Sequence, residues 1–249
     1  MSPPETRSES AGGRLPAPLR AVLSALLLAV AGLGGGSLVV EAVFLAGLEL
    51  SLLVETVLRV LLLQGVAFGG LSALYLQYRG LPADYVGVSV PDLEGWIHAG
   101  AGYVLALVGA FSMIFVVVFL LGLTPAQNRA AELGQQDSRV FLALLVLAVL
   151  VIGPGEELLF RGVVQSRLRE TFSAPLGIGL ATVIFAVAHA PALAGPTSGV
   201  ALTITLLFVP ALVFAVVYER TDNVVVPAVT HGAYNATLFG LAYLSVAMG

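Results

Sequence analysis

Three short strings place acids, imidazoles and an amide where a chain this apolar can least easily keep them. Glu156 and Glu157 stand side by side, and Arg161 follows four residues after Glu157. His189 closes the string Phe185-Ala186-Val187-Ala188-His189, and Asn235 follows His231 by four residues. An ionisable group inside a membrane span is costly unless it is paired or faces a polar cavity, so each is a functional candidate. On a helix, Glu157 and Arg161 lie one turn apart and can pair. Glu156 then points about 100° away and stays free. A free carboxylate can accept a proton from water, and imidazole and carboxamide donors can stabilise an oxyanion. The chemistry that suits these residue types is hydrolysis of an amide by activated water.

The elements that must carry these residues are membrane helices. The chain has 249 residues, of which 58% are apolar and 10% charged, with a formal net charge of -4. Such a composition belongs to lipid rather than water. A helix needs about 20 mostly apolar residues to cross a bilayer, and the sequence offers such runs repeatedly. The predicted fold is all-α: a polytopic transmembrane helical bundle of about seven to eight spans. They cover roughly 19–47, 52–78, 91–121, 138 to beyond 152, 174–190, 199–219 and 223–247. The count is seven if Gly34-Gly35-Gly36 is helical and eight if it is a turn. Residues 1–17, rich in Pro, Ser and Gly, read as a disordered polar tail. Residues 18–249 read as one membrane-embedded domain, with the catalytic core over about 137–248. Arg20 before an apolar run ending near Ala29-Val30-Ala31 resembles a signal peptide. The long leader with Glu5 and Glu9 favours an uncleaved first helix.

Local signals refine this outline. Pro91-Asp92 opens the third span, residues 124–137 form the one long polar interior stretch, and Ser138 is expected to cap the fourth span. Trp96, His98 and Tyr103 read as interfacial anchors, Arg59 pairs with Glu55, and Gly65, Gly69 and Gly70 read as close-packing positions. With the N-terminus inside, Arg7, Arg14, Arg20, Arg79, Arg161, Arg167, Arg169 and Arg220 fall on the cytoplasmic side. This follows the positive-inside rule and puts the chain in the cell membrane with its N-terminus cytoplasmic. Counting up from the turns near 170 and 221, Glu156, His189, His231 and Asn235 lie about 15 to 28 Å along their helices, close enough to share a layer in the cytoplasmic half. The chain has no cysteine, so no disulfide and no Cys-ligated metal is available. No phosphate loop or basic patch appears, so nucleic acid is not an expected partner. The expected partners are the lipid bilayer and a peptide or lipidated protein substrate, and the sequence leaves the oligomeric state open.

The strings EELLFR, FAVAH and HGAYN resemble the EExxxR, FxxxH and HxxxN motifs of the CPBP family, which includes type II CAAX prenyl proteases, bacteriocin-processing enzymes and Abi-like proteins. All three occur in order on separate spans, and the resemblance covers roughly residues 137–248. The stretch YVGVSVPDLEGW (85–96) is also similar to the family's lead-in to the preceding helix. The resemblance implies an intramembrane endopeptidase. Carried over residue by residue, it makes Glu156 the general base, with His189 holding and polarising the water. It makes His231 and Asn235 the oxyanion hole and Glu157 with Arg161 a supporting ion pair. Phe185 would pack beneath His189 or line the substrate cavity. No cofactor is favoured. Zinc is the alternative, held by Glu156, His189 and His231. Readings without hydrolysis compete: Glu156 as a carboxylate reaching headgroup water, His189 as a helix-end cap, and His231 with Asn235 as an interhelical link. At the level of the whole protein the alternatives are a proton-coupled transporter and a catalytically inactive scaffold or immunity protein. No tandem repeat points to transport.

Overall fold

The computed structural model describes residues 15–45, 47 and 49–248. The expected disordered tail lies almost wholly outside them, and Ala17, its final residue, is already helical. Among the described residues the long helices are α1 (Ala17–Phe44), α2 (Leu52–Arg79), α3 (Leu93–Leu120), α5 (Arg139–Arg169), α6 (Ala174–Ala188), α7 (Thr197–Thr221) and α8 (Val225–Ala247). A short α4 (Arg129–Gln136) precedes α5. Six of the long helices, α6 counted with its 3-10 continuation to Ala192, are apolar and long enough to cross a membrane. The remaining one, α8, has 23 residues but is diluted by Thr230, His231, Tyr234, Asn235 and Thr237.

The triple glycine is not a turn. It lies in α1, where residues Ala31–Gly35 widen into a π-helical stretch and the helix then continues. Its last member, Gly36, and the nearby Gly32 are contact positions. A Cβ on Gly32 would come within 2.7 Å of Leu159 Cδ2, and one on Gly36 within 2.9 Å of Ala67 Cβ. Small residues let membrane helices approach this closely. The glycines expected to do the same in α2 do not: Gly69 and Gly70 face open space, and Gly65 meets only Val151 at 3.5 Å. Glycine composition signals close packing somewhere on a helix, but the crossing points depend on which faces meet.

The polar stretch between α3 and α5 is more ordered than a loop. Gln127–Asn128 forms a strand, β1, pairing antiparallel with β2 (Leu193–Ala194), just beyond His189. The Asn128 side chain accepts from Ala130 N–H to start α4. The cap of α5 is shifted by one residue from the expected Ser138. Ser138 makes no capping bond, and the Asp137 carboxylate accepts from Arg139 N–H at 3.0 Å while also holding the Arg139 side chain. An ionised acceptor beside a guanidinium outcompetes a hydroxyl for this position. Asp92 caps α3 as expected, accepting from Gly95 N–H at 2.8 Å.

At the other end, the turn before α3 is locked to the α7–α8 turn. Gly87 takes a left-handed conformation (φ 64), and a side chain there would collide with the Asp222 carbonyl. Its own carbonyl accepts from Val224 N–H at 2.9 Å. Between the two ends lie several apolar clusters among the described residues, two of which flank the polar residues of α5, α6 and α8. One joins α1, α2, α5 and α6 around Phe68, Leu159, Phe160 and Phe185. The other joins α3, α7 and α8 around Ala106, Phe214 and Tyr234. The polar residues of α5, α6 and α8 meet along the seam between these cores.

Candidate active site

The acidic pair occupies an unusual piece of helix. Within α5, residues Gly153–Glu157 form one α-helical turn between two π-helical stretches, Ala148–Ile152 and Leu158–Gln165. Pro154 has no N–H for the usual bond to the preceding turn, and wide turns of this kind re-aim side chains and cluster at functional sites. Glycines bring the neighbouring backbones close. A Cβ on Gly153 would sit 2.6 Å from Ala228 O, and one on Gly232 would sit 2.9 Å from Ala148 O. The α5 and α8 backbones therefore touch at the level of the acids.

A buried polar chain crosses that contact. Arg161 Nε donates to Glu157 Oε2 at 2.9 Å, and both side chains are fully buried. The other carboxylate oxygen, Oε1, lies 2.8 Å from His231 Nδ1. An ionised carboxylate only accepts, so Nδ1 carries the proton. In the neutral ring Nε2 is then an acceptor, and Asn235 Nδ2 donates to it at 2.9 Å. Glu157 thus holds two partners: the expected one, Arg161, and His231, which the sequence did not link to it. Since a carboxamide nitrogen has two N–H groups, Asn235 keeps one for a further partner.

Glu156 points elsewhere. Its Oε2 is buried without a hydrogen-bond partner and faces two imidazole nitrogens, His189 Nε2 at 3.7 Å and His231 Nε2 at 3.9 Å. These separations exceed a direct hydrogen bond and suit bridging by one water. His189 Nδ1 lies 2.8 Å from the Phe185 carbonyl. Donation to that carbonyl leaves Nε2 with its lone pair toward Glu156. The four residues Glu156, His189, His231 and Asn235 therefore come together in one polar cluster, in which the His189 side chain is 23% exposed against 4% for His231.

Aromatic rings fix the imidazoles from both cores. Phe185 lies 4.6 Å from the His189 ring and 5.8 Å from that of His231. The Arg161 guanidinium also sits over Phe185, 4.5 Å from the centroid, so this ring lies between the buried cation and the two imidazoles. Phe214 of α7 stacks on His231 at 4.7 Å and 18°. No motif marked Phe214; an aromatic residue in an apolar span reads as ordinary core until the fold places it. Two cavities of about 300 and 340 Å³ lie away from the cluster, meeting at His98 and Arg220 near the Gly87–Asp222 lock.

The donor set was tested against zinc. A metal bound at about 2.0–2.1 Å needs the lone pairs of both Nε2 atoms, yet Asn235 already donates to that of His231. Among the described residues no group of three or more His, Asp or Glu is arranged to hold a metal ion. As positioned, His231 would have to give up its Asn235 partner to ligate zinc.

Residues 138–237 match the protein family described as type II CAAX prenyl endopeptidase Rce1-like. The matched segment runs from the start of α5 into α8 and contains every residue of the cluster, so the family resemblance carried by the three motifs is supported there. No curated protein and no solved structure matches the chain. With its set of long apolar helices, the molecule is a multi-pass membrane protein.

Proposed function

We propose, from the premise that residues 138–237 resemble a CAAX-type intramembrane endopeptidase, that this protein hydrolyses a peptide bond in a membrane-associated substrate with water activated by Glu156 and His189. The observation that carries this reading is the unpartnered Glu156 Oε2 facing two imidazole nitrogens at 3.7 and 3.9 Å. A water there gives its proton to the Glu156 carboxylate as its oxygen attacks the scissile carbonyl carbon. His189, fixed by the Phe185 carbonyl, accepts a hydrogen bond from that water and orients it. The oxyanion formed receives the second N–H of Asn235. His231, as the Nδ1–H tautomer set by Glu157, holds Asn235 in place. Donation from His231 itself requires the imidazolium, which the Glu157 carboxylate would stabilise. Glu156 then passes its proton to the leaving amine. No metal enters the sequence of steps.

The substrate class is a lipid-anchored peptide, prenylated CAAX-type sequences being the first to try, because the cluster is embedded in a bundle that lipid surrounds. Counting about 1.5 Å per residue, Glu156 lies roughly 20 Å from the Arg169 end of α5 and roughly 25 Å from the Arg139 end. With the Arg-rich end cytoplasmic, the site falls toward the cytoplasmic half.

The test is cleavage of a synthetic prenylated peptide by purified protein in bilayers. The wild type should cleave it with or without a chelator. Glu156→Gln should lose about 100-fold or more of kcat, and His189→Ala a comparable factor. Equal cleavage by wild type and Glu156→Gln would sink the mechanism, and chelation loss restored by zinc would replace it with a metal one.

A further inference from the structure

The described span α2 carries one amide deep in its apolar run, Gln64, which no motif marks and which the catalytic scheme does not use. It lies in the π-helical stretch Leu61–Phe68. Its side-chain Oε1 is buried and has no hydrogen-bond partner. It packs beside the acidic pair: a Cβ on Gly155 would collide with the Gln64 carbonyl and lie 3.2 Å from Gln64 Cβ. Gly155 immediately precedes Glu156, so the absence of a side chain at 155 lets α2 bring this amide next to the catalytic turn. Leaving a buried amide oxygen unpaired is unfavourable, and leucine or methionine would fill the same space without that cost.

We propose that Gln64 is a substrate-positioning residue whose Oε1 accepts a backbone N–H of the peptide being cut. This rests on the proposed hydrolysis. A peptide drawn into an apolar bundle in the extended form brings N–H groups that must find acceptors there. Across the cluster, Asn235 supplies a donor for the oxyanion. Glu156 is occupied with water, and the Glu157 oxygens are taken by Arg161 and His231. Gln64 provides an uncommitted acceptor on the α2 side of the cluster. The proton of the substrate N–H stays on its nitrogen throughout, so Gln64 binds and does not react.

The experiment uses the full chain in bilayers and a prenylated peptide whose backbone N–H groups flanking the scissile bond are replaced, one at a time, by ester oxygen. The wild type should prefer the amide form at one flanking position by about tenfold in kcat/KM. Gln64→Leu should cleave the amide peptide at the wild-type rate for that ester and show no further loss on the ester, the coupling expected of direct partners. The thermal midpoint of Gln64→Leu should equal or exceed that of wild type, because an unpaired buried oxygen has been removed. Gln64→Met, unbranched and of similar length, repeats the measurement should leucine fold poorly. An unchanged amide preference in both variants at every flanking position would overturn the assignment while leaving the hydrolase reading intact. Failure of the wild type to cleave any of the peptides would overturn both.

Discussion

Glu157 does more at the residue scale than its sequence position suggests. The Glu157–Arg161 spacing shows a pair, but not that the second carboxylate oxygen reaches across to α8 and fixes the tautomer of His231. That contact spans 74 residues of chain and depends on the close α5–α8 approach. Removing Arg161 would leave the Glu157 carboxylate at zero exposure with only the His231 N–H against it, a loss of about 3–5 kcal/mol by the usual scale for broken buried pairs. Arg161→Met should therefore lower the thermal midpoint markedly. The double variant Glu157→Met/Arg161→Met should regain much of that stability but little cleavage, because His231 has lost the acceptor that orients it. Activity and stability returning together would mean the pair is only a packing element. The acids, imidazoles and Asn235 were readable from type and spacing because such groups are rare in lipid. Phe214 and Gln64 were not, since their importance lies in what they face.

For the helices, the sequence marked boundaries better than contacts. Runs of apolar residues and the Pro91-Asp92 start located the spans, because length and capping are local properties. Of the two readings of Gly34-Gly35-Gly36 the helical one holds, whereas the packing expected at Gly69 and Gly70 was displaced, because glycine favours turns, π-stretches and helix crossings alike. The glycines that matter are Gly153, Gly155 and Gly232, where backbone meets backbone. Gly155→Ala places a methyl group against the Gln64 carbonyl, an atom that cannot rotate aside. Overpacking of this kind costs about 1–3 kcal/mol. We expect a lowered melting temperature and at least tenfold slower cleavage for Gly155→Ala. Gly69→Ala and Gly70→Ala, with nothing within 4 Å, should behave as wild type in the same two measurements.

At the scale of the molecule, two of the apolar clusters among the described residues face each other across a polar seam. The membrane character of the protein was legible from composition alone, whereas its orientation rests on the distribution of Arg residues. The chain has no cysteine, so single cysteines can report sidedness without further engineering. With the N-terminus cytoplasmic, Gln136→Cys, exposed just before α5, should react with a membrane-impermeant thiol reagent applied outside intact cells. Val90→Cys, 90% exposed on the opposite end, should react only after the membrane is opened. The reverse pattern would invert the proposed topology and put the site in the outer half.

The low apolarity of α8 has a bearing on biogenesis. A segment carrying histidine and asparagine near its middle gains little from entering lipid alone, and α8 is synthesised after the helix that holds its partners. Glu157, already paired with Arg161, offers the arriving imidazole a hydrogen bond that the lipid cannot. Membrane integration of α8 and assembly of the buried polar cluster therefore become coupled, and a nascent chain lacking that carboxylate should integrate its final described helix less readily.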